Sequence, residues 1–261
     1  MPGRWVVVVP VKEATAGKTR LGGALDEPSR VALARAMALD TIEAAAGCSA
    51  VGLVVVVTAD EMVGREAPTS RRRTAGSTGG AATRDAATKG AATRGAATRG
   101  TAMVRVVPEP SHTGQRSGLD AAAAAGVRAG RAMAPSAPVG VLLGDLPALR
   151  PDDLATALDD ADRRDRAMVP DAAGTGTTLI TVGPGAAFDS RFGVGSAAAH
   201  VALGYALLDV AGTSTLRHDV DLPVDLDTVR AMEPGPRTAR LLDRLLAGGG
   251  RVVDLAVDRT A

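Results

Sequence analysis

The stretch VGVLLGDLP, residues 139–147, decides how this chain folds. Its apolar run stops abruptly at Gly144 and Asp145, is too short for a buried helix, and is flanked by Pro138 and Pro147. Such a run reads as a fully buried parallel strand. Asp145 then stands at the strand's carboxyl end, the edge of an open α/β sheet where loops and helix starts converge on ligands. A bare carboxylate is costly to bury, so it must be solvated, paired or metal-bound. The alternative is an Asp that caps the following turn through backbone N–H groups.

The neighbouring segments extend this sheet. Trp5–Val11 is a second β-rich run, and the loop after it, KEATAGKTRLGG, carries Lys12, Lys18 and Arg20. Three cations in a glycine-containing loop past a first strand suggest a polyanion site; a solvated basic loop is the alternative. Gly17-Lys18-Thr19 is not a P-loop, because Lys12 stands where that motif needs glycine. Pro28 to Ala46 places Val31, Ala34, Met37, Ala38, Ile42 and Ala45 on one helical face, with Asp26 as N-cap and Gly47 as stop. Val51–Thr58 follows as another buried strand, and strand, helix, strand in that order argues for a right-handed βαβ unit.

Composition limits the function. A chain of 261 residues can bury one substantial core, and with aromatics at only 2% that core must be filled by Ala, Val and Leu. A net charge of +1 gives no global reason to expect nucleic acid or a membrane surface, so anion binding must be local. The single cysteine, Cys48, excludes an internal disulfide, reads as a small core residue, and suits a reducing cytosol. The apolar runs are too short to span a bilayer. A cytoplasmic protein is expected.

From Gly64 to about Ala102 the character changes, to Arg71-Arg72-Arg73 and then AATRD, AATKG, AATRG, AATRG. A period of five matches neither helix nor strand, and nothing in it can build a core, so it reads as a disordered insertion in a surface connection. Beyond it the spacing predicts a strand at Met103–Val107, an Ala-rich helix from Gly118 to Met133, and a helix begun by Pro151-Asp152-Asp153. Gln115, Arg116 and Ser117 precede the Ala-rich helix where its N–H groups could help hold a ligand. Short strands are expected around Met168–Pro170 and at Thr178–Val182.

Two later clusters carry chemistry. Phe192-Gly-Val-Gly-Ser196 precedes a helix expected from Ala197 to about Val210; its glycines allow backbone N–H groups to approach an anion, Ser196 can cap the helix, and His200 would lie along the same face. No apolar strand leads into these glycines, so they are not a dinucleotide fingerprint. In Arg217-His-Asp-Val-Asp-Leu-Pro223, Asp219 and Asp221 project to the same side of an extended segment. Two such charges need a cation or shifted pKa values; facing Asp145 they would offer three hard oxygen ligands to a Mg²⁺-like ion. A solvated acidic turn before a helix Asp225–Met232 is the bland alternative. A closing helix is expected at Arg237–Ala247, and the Gly248-Gly249-Gly250 and Val252–Val257 stretches after it are assigned no chemistry.

The segments VPVKEATAGKTRL (9–21), GL (118–119), LLGDLP (142–147), VPDAAGTGTTLI (169–180), FGVGSAAAH (192–200) and HDVDLPVDL (218–226) resemble the CofC/FbiD family, guanylyltransferases of coenzyme F420 biosynthesis. The resemblance covers nearly the whole chain apart from 64–102. It implies a single domain over 1–261 with an α/β, Rossmann-like nucleotide-diphospho-sugar transferase fold, a mostly parallel central sheet and helices on both faces. It also implies Mg²⁺-dependent transfer of GMP from GTP to phosphoenolpyruvate or 2-phospho-L-lactate, with a downstream F420-pathway transferase as a partner for the product. By motif, Thr178, Gly193 and Ser196 would hold the acceptor, and Lys12, Lys18, Arg20 and Gly118 the nucleotide. Asp145, Asp219 and Asp221 would ligate the metal, with Asp145 and Lys18 catalytic. The chain departs from the family at Asp120, where Asn is usual, and at Leu222, where Thr is usual. A nucleotidyltransferase acting on a molybdopterin or sugar phosphate would carry a glycine-rich first loop, which Pro10–Ala16 lacks. A non-catalytic GTP-binding protein would not need so many carboxylates beside a polyphosphate.

Overall fold

The computed structural model describes residues 5–14, 18, 21–22, 25–67, 102–111 and 117–247. Arg20, Gln115, Arg116, the Val252–Val257 stretch and nearly all of the expected insertion lie outside them. In chain order the elements are β1 (Trp5–Val11), α1 (Glu27–Gly47), β2 (Val51–Thr58), α2 (Glu61–Glu66), β3 (Met103–Pro108), α3 (Gly118–Met133) and β4 (Val139–Leu142). There follow α4 (Pro151–Ala161), β5 (Arg166–Pro170), β6 (Thr177–Val182), α5 (Ser196–Ala202), β7 (Ala206–Leu207), α6 (Pro223–Ala231) and α7 (Pro236–Ala247). The expected insertion boundary moves: Gly64 to Glu66 belong to α2, whose first turn is held by the carboxylate of Asp60.

Seven strands form one sheet in the order β3-β2-β1-β4-β6-β5-β7. β1 runs parallel to β2 and β4, β2 to β3, and β5 to β7, while β6 is antiparallel to both of its neighbours. The sheet is therefore mostly parallel, and β4 has one parallel and one antiparallel partner. Alternation along the valine runs assigns the faces. Val7 and Val9 face Leu39 and Ile42 of α1 and, with Leu142, the α4 residues Leu154 and Leu158. Val6 and Val8 lie on the opposite face with Ala123 and Val127 of α3. A Cβ on Gly126 would stand 2.2 Å from Val8 Cγ1, so that glycine lets α3 lie close on the sheet. A third cluster joins Leu33 and Met37 of α1 to Leu226 and Val229 of α6 and Leu242 of α7. Cys48 is fully buried, and burial raises its thiol pKa.

This topology places the ends of β1, β2, β4 and β5 on one edge. The chain leaving β4 is pinned there: Leu143 N–H donates to Thr178 O (2.9 Å), and Leu146 N–H to the buried Thr41 Oγ1 of α1 (3.1 Å). At Gly144 a Cβ would come within 3.2 Å of Val11 Cγ2, so a small residue lets the exit from β4 pass against the end of β1. Among the described residues no helix is long and apolar enough to cross a membrane.

Candidate active site

Three carboxylates converge at this edge. Val220 is fully buried in the third cluster and its N–H donates to Asp145 O at 3.1 Å. That bond draws the 219–221 segment against the exit of β4, and alternation turns Asp219 and Asp221 to the other side of Val220. One oxygen from each of Asp145, Asp219 and Asp221 lies within 4.8 Å of the others. Asp225, in the first turn of α6, accepts the N–H groups of Asp221 (2.8 Å) and Leu222 (2.6 Å) and fixes the end of the segment.

Lys18 reaches into the cluster. Its ammonium donates to Asp145 Oδ2 and to Asp221 Oδ1, the latter at 2.9 Å, and its backbone is held at φ 54° in the left-handed region. Burial works against this ammonium, but the charges of Asp145 and Asp221 outweigh it and raise its pKa. Among the described residues no ammonium donates to Asp219. Burial, then repulsion from Asp145 and Asp221, pushes its carboxyl up to about 8. Among the described residues Asp145 Oδ1 is buried without a hydrogen-bond partner. An orphaned carboxylate oxygen, a carboxyl forced toward protonation and a donor set made only of oxygens fit a hard divalent cation, and the ammonium of Lys18 now supplies positive charge to the same oxygens.

The remaining predicted residues divide. Lys12 is exposed at the end of β1, and Gly118 is the first residue of α3, capped by Ser117. Gly193 (φ 130°) and Gly195 (φ 72°) form an exposed loop before α5 in backbone conformations that favour glycine. Thr178 and Ser196 are 0% and 2% exposed: Thr178 Oγ1 donates to Val169 O, and Ser196 Oγ to Thr177 Oγ1, so neither hydroxyl reaches solvent in this conformation. Ser196 is also not the cap; Gly195 is, and no side chain caps α5.

His200 does not face a ligand. It is fully buried, 5.0 Å edge-on from Phe192, and Arg191 N–H donates to its Nε2 at 3.0 Å. Its proton therefore sits on Nδ1, directed at Thr177 Oγ1 (3.0 Å). Burial, outweighing the nearby charges of Asp120 and Asp189, lowers its pKa to about 4. α5 ends at Ala202 rather than near Val210, because Gly204 turns left-handed (φ 84°) and the chain enters β7.

Sequence reading missed the anchors around the site. Asp60, 2% exposed, caps α2, pairs with Arg35 at 2.9 Å and accepts Ala14 N–H at 3.3 Å, which fastens the basic loop after β1. Asp171, after β5, accepts Thr175 and Gly176 N–H groups and shapes the turn into β6. The Asp-x-x-x-x-Gly spacing was the available signal for that turn.

The mixed sheet carries the Lys18–carboxylate cluster at one edge, and comparison with known proteins gives the fold from a solved structure and the class, a nucleotidyltransferase, from sequence relatives. A crystal structure described as a nucleotide-diphospho-sugar transferase from Desulfovibrio desulfuricans G20 superposes with a TM-score of 0.57 over 94% of this chain and 96% of its own, at 15% identity. The profile described as "Guanylyl transferase CofC like" matches residues 5–72. A phosphoenolpyruvate guanylyltransferase of Sanguibacter keddieii is 50% identical over 92% of this chain and 84% of its own length. Another, of Streptomyces coelicolor, is 40% identical over 94% and 99% respectively. The chain belongs to the CofC-like guanylyltransferase family.

Proposed function

We propose that the protein transfers GMP from GTP to phosphoenolpyruvate, releasing pyrophosphate, with Mg²⁺ held by Asp145, Asp219 and Asp221, as a step in coenzyme F420 biosynthesis. The convergence of those carboxylates around Lys18 carries this reading, and the activity in the relatives' names favours phosphoenolpyruvate over 2-phospho-L-lactate. A divalent cation bound there would neutralise charge on the triphosphate. An acceptor phosphate oxygen attacks the α-phosphorus; a new O–P bond forms, the bond to the bridging oxygen breaks, and pyrophosphate leaves with its electron pair. The acceptor phosphate is already ionised, so no strong general base is needed. Lys18 turns its ammonium from the carboxylates to the triphosphate, Lys12 adds positive charge at the end of β1, and the start of α3 at Gly118 borders the nucleotide. The Gly193–Gly195 stretch offers backbone N–H groups to the acceptor, with Ser196, whose own N–H closes the turn onto Gly193 O, and Thr178 beside it.

Asp145→Asn keeps the side-chain volume and removes the charge. Turnover should fall more than about 100-fold with the melting temperature little changed. Near-normal turnover in a folded Asp145→Asn protein would contradict the metal assignment.

A further inference from the structure

Asp120 stands in the first turn of α3, is 4% exposed, and accepts hydrogen bonds from three sides. Its Oδ2 accepts Ser117 Oγ–H at 2.7 Å, while Ser117 Oγ accepts Asp120 N–H at 3.1 Å and closes the cap of α3. Its Oδ1 accepts Ser190 Oγ–H at 2.7 Å and Phe192 N–H at 2.9 Å. These two bonds span 70 and 72 residues of sequence and fall on the segment that ends where the Gly193–Gly195 loop begins. No basic side chain donates to this carboxylate among the described residues; it is held by neutral donors and the helix N-terminus.

Within the loop Ser196 N–H donates to Gly193 O at 3.1 Å and closes the turn. Gly193, Val194 and Gly195 are exposed, Val194 almost completely, and the two glycines occupy left-handed conformations. Its position follows from its anchors. On one side Ser190 and Phe192 hang from Asp120, and Arg191 N–H is bonded to the ring of His200. On the other, Ala197 N–H is bonded to Thr175 O. Asp120 is thus the tie between the start of α3 and the glycine loop.

We propose that Asp120 is a positioning residue that sets the acceptor loop against the nucleotide side of the site. It acts through Ser190 and Phe192 and not by touching the base or ribose. The inference rests on the reading that Gly193–Ser196 receives the acceptor. An amide can keep this geometry: its oxygen accepts from Ser190 and Phe192, and its NH₂ donates to Ser117 Oγ.

The test is steady-state kinetics of pyrophosphate release for wild type, Asp120→Ala, Asp120→Asn, Ser190→Ala and Gly193→Ala, with KM measured separately for phosphoenolpyruvate and GTP and folding followed by thermal melting. Asp120→Ala should raise the acceptor KM about tenfold or more and Ser190→Ala about threefold, both leaving the GTP KM within about twofold, while Asp120→Asn restores the wild-type acceptor KM. An unchanged acceptor KM in folded Asp120→Ala, or equal rises in both KM values, overturns the proposal. If Asp120→Ala does not fold, an unchanged acceptor KM in Ser190→Ala overturns it. An unchanged acceptor KM in Gly193→Ala instead overturns the acceptor-site reading, and the inference with it.

Discussion

On the proposed metal assignment Lys18 and a divalent cation would compete for the same oxygens, so removing the lysine should have opposite effects on metal affinity and on turnover. In Lys18→Met the stem is kept and the ammonium is lost. The ammonium bonds Asp145, whose side chain is 20% exposed, and Asp221, whose side chain is 55% exposed. The Asp221 bond faces water and contributes little. The more shielded Asp145 bond is a charge-assisted contact of about 2 kcal/mol, which an incoming cation must displace. Losing it should tighten the binding of Mn²⁺ or Mg²⁺ to the nucleotide-free protein by roughly 30-fold, since each 1.4 kcal/mol is about a factor of ten. The stronger repulsion left among the three carboxylates acts in the same direction. Titration calorimetry, or the loss of the free Mn²⁺ electron-spin signal, reads the dissociation constant directly. Turnover should meanwhile fall and the GTP KM rise, because the triphosphate loses its cation. Unchanged or weaker metal binding in folded Lys18→Met refutes the competition.

Three further outcomes follow from the packing. The folded pKa of His200, about 4, lies below its unfolded value of 6.5. Its contribution is therefore fully present above pH 6.5 and is lost as pH falls from 6.5 toward 4, on the order of 3 kcal/mol, and denaturant midpoints between pH 7 and 4 should show that loss reduced in His200→Gln. Gly126→Ala places a Cβ against Val8 and Val57 and should cost about 1–3 kcal/mol, a melting-temperature drop of several degrees, without altering metal binding. Asp60→Ala strips the cap of α2, the partner of Arg35 and the tether of Ala14, and should destabilise by about 3 kcal/mol while raising the GTP KM through the loosened basic loop.

The sheet and its edge were legible because short-range patterns encode them. Valine runs could only be buried strands, and the Ala-rich stretch between Ser117 and Ala134 became a helix with the bounds its pattern gives. Period-two spacing correctly placed Asp219 and Asp221 on one side of Val220, and the strand-end position of Asp145 placed it at the same edge. Strand direction was harder to read, since a fully buried run such as Thr177–Val182 looks the same parallel or antiparallel. The helix expected past His200 failed at Gly204, where one left-handed residue outweighed continuing apolar periodicity. Contacts across long separations left no local mark. Lys18 meets Asp145 across 127 residues and Asp221 across 203, and Asp120 meets Phe192 across 72.

The most direct test of the account is pyrophosphate release by the wild-type protein with GTP or ATP, with and without Mg²⁺, and with phosphoenolpyruvate, 2-phospho-L-lactate or no acceptor. The account predicts release that requires GTP, Mg²⁺ and phosphoenolpyruvate together. Release independent of any acceptor, release with ATP as readily as with GTP, or GTP binding that no acceptor converts into pyrophosphate would contradict it.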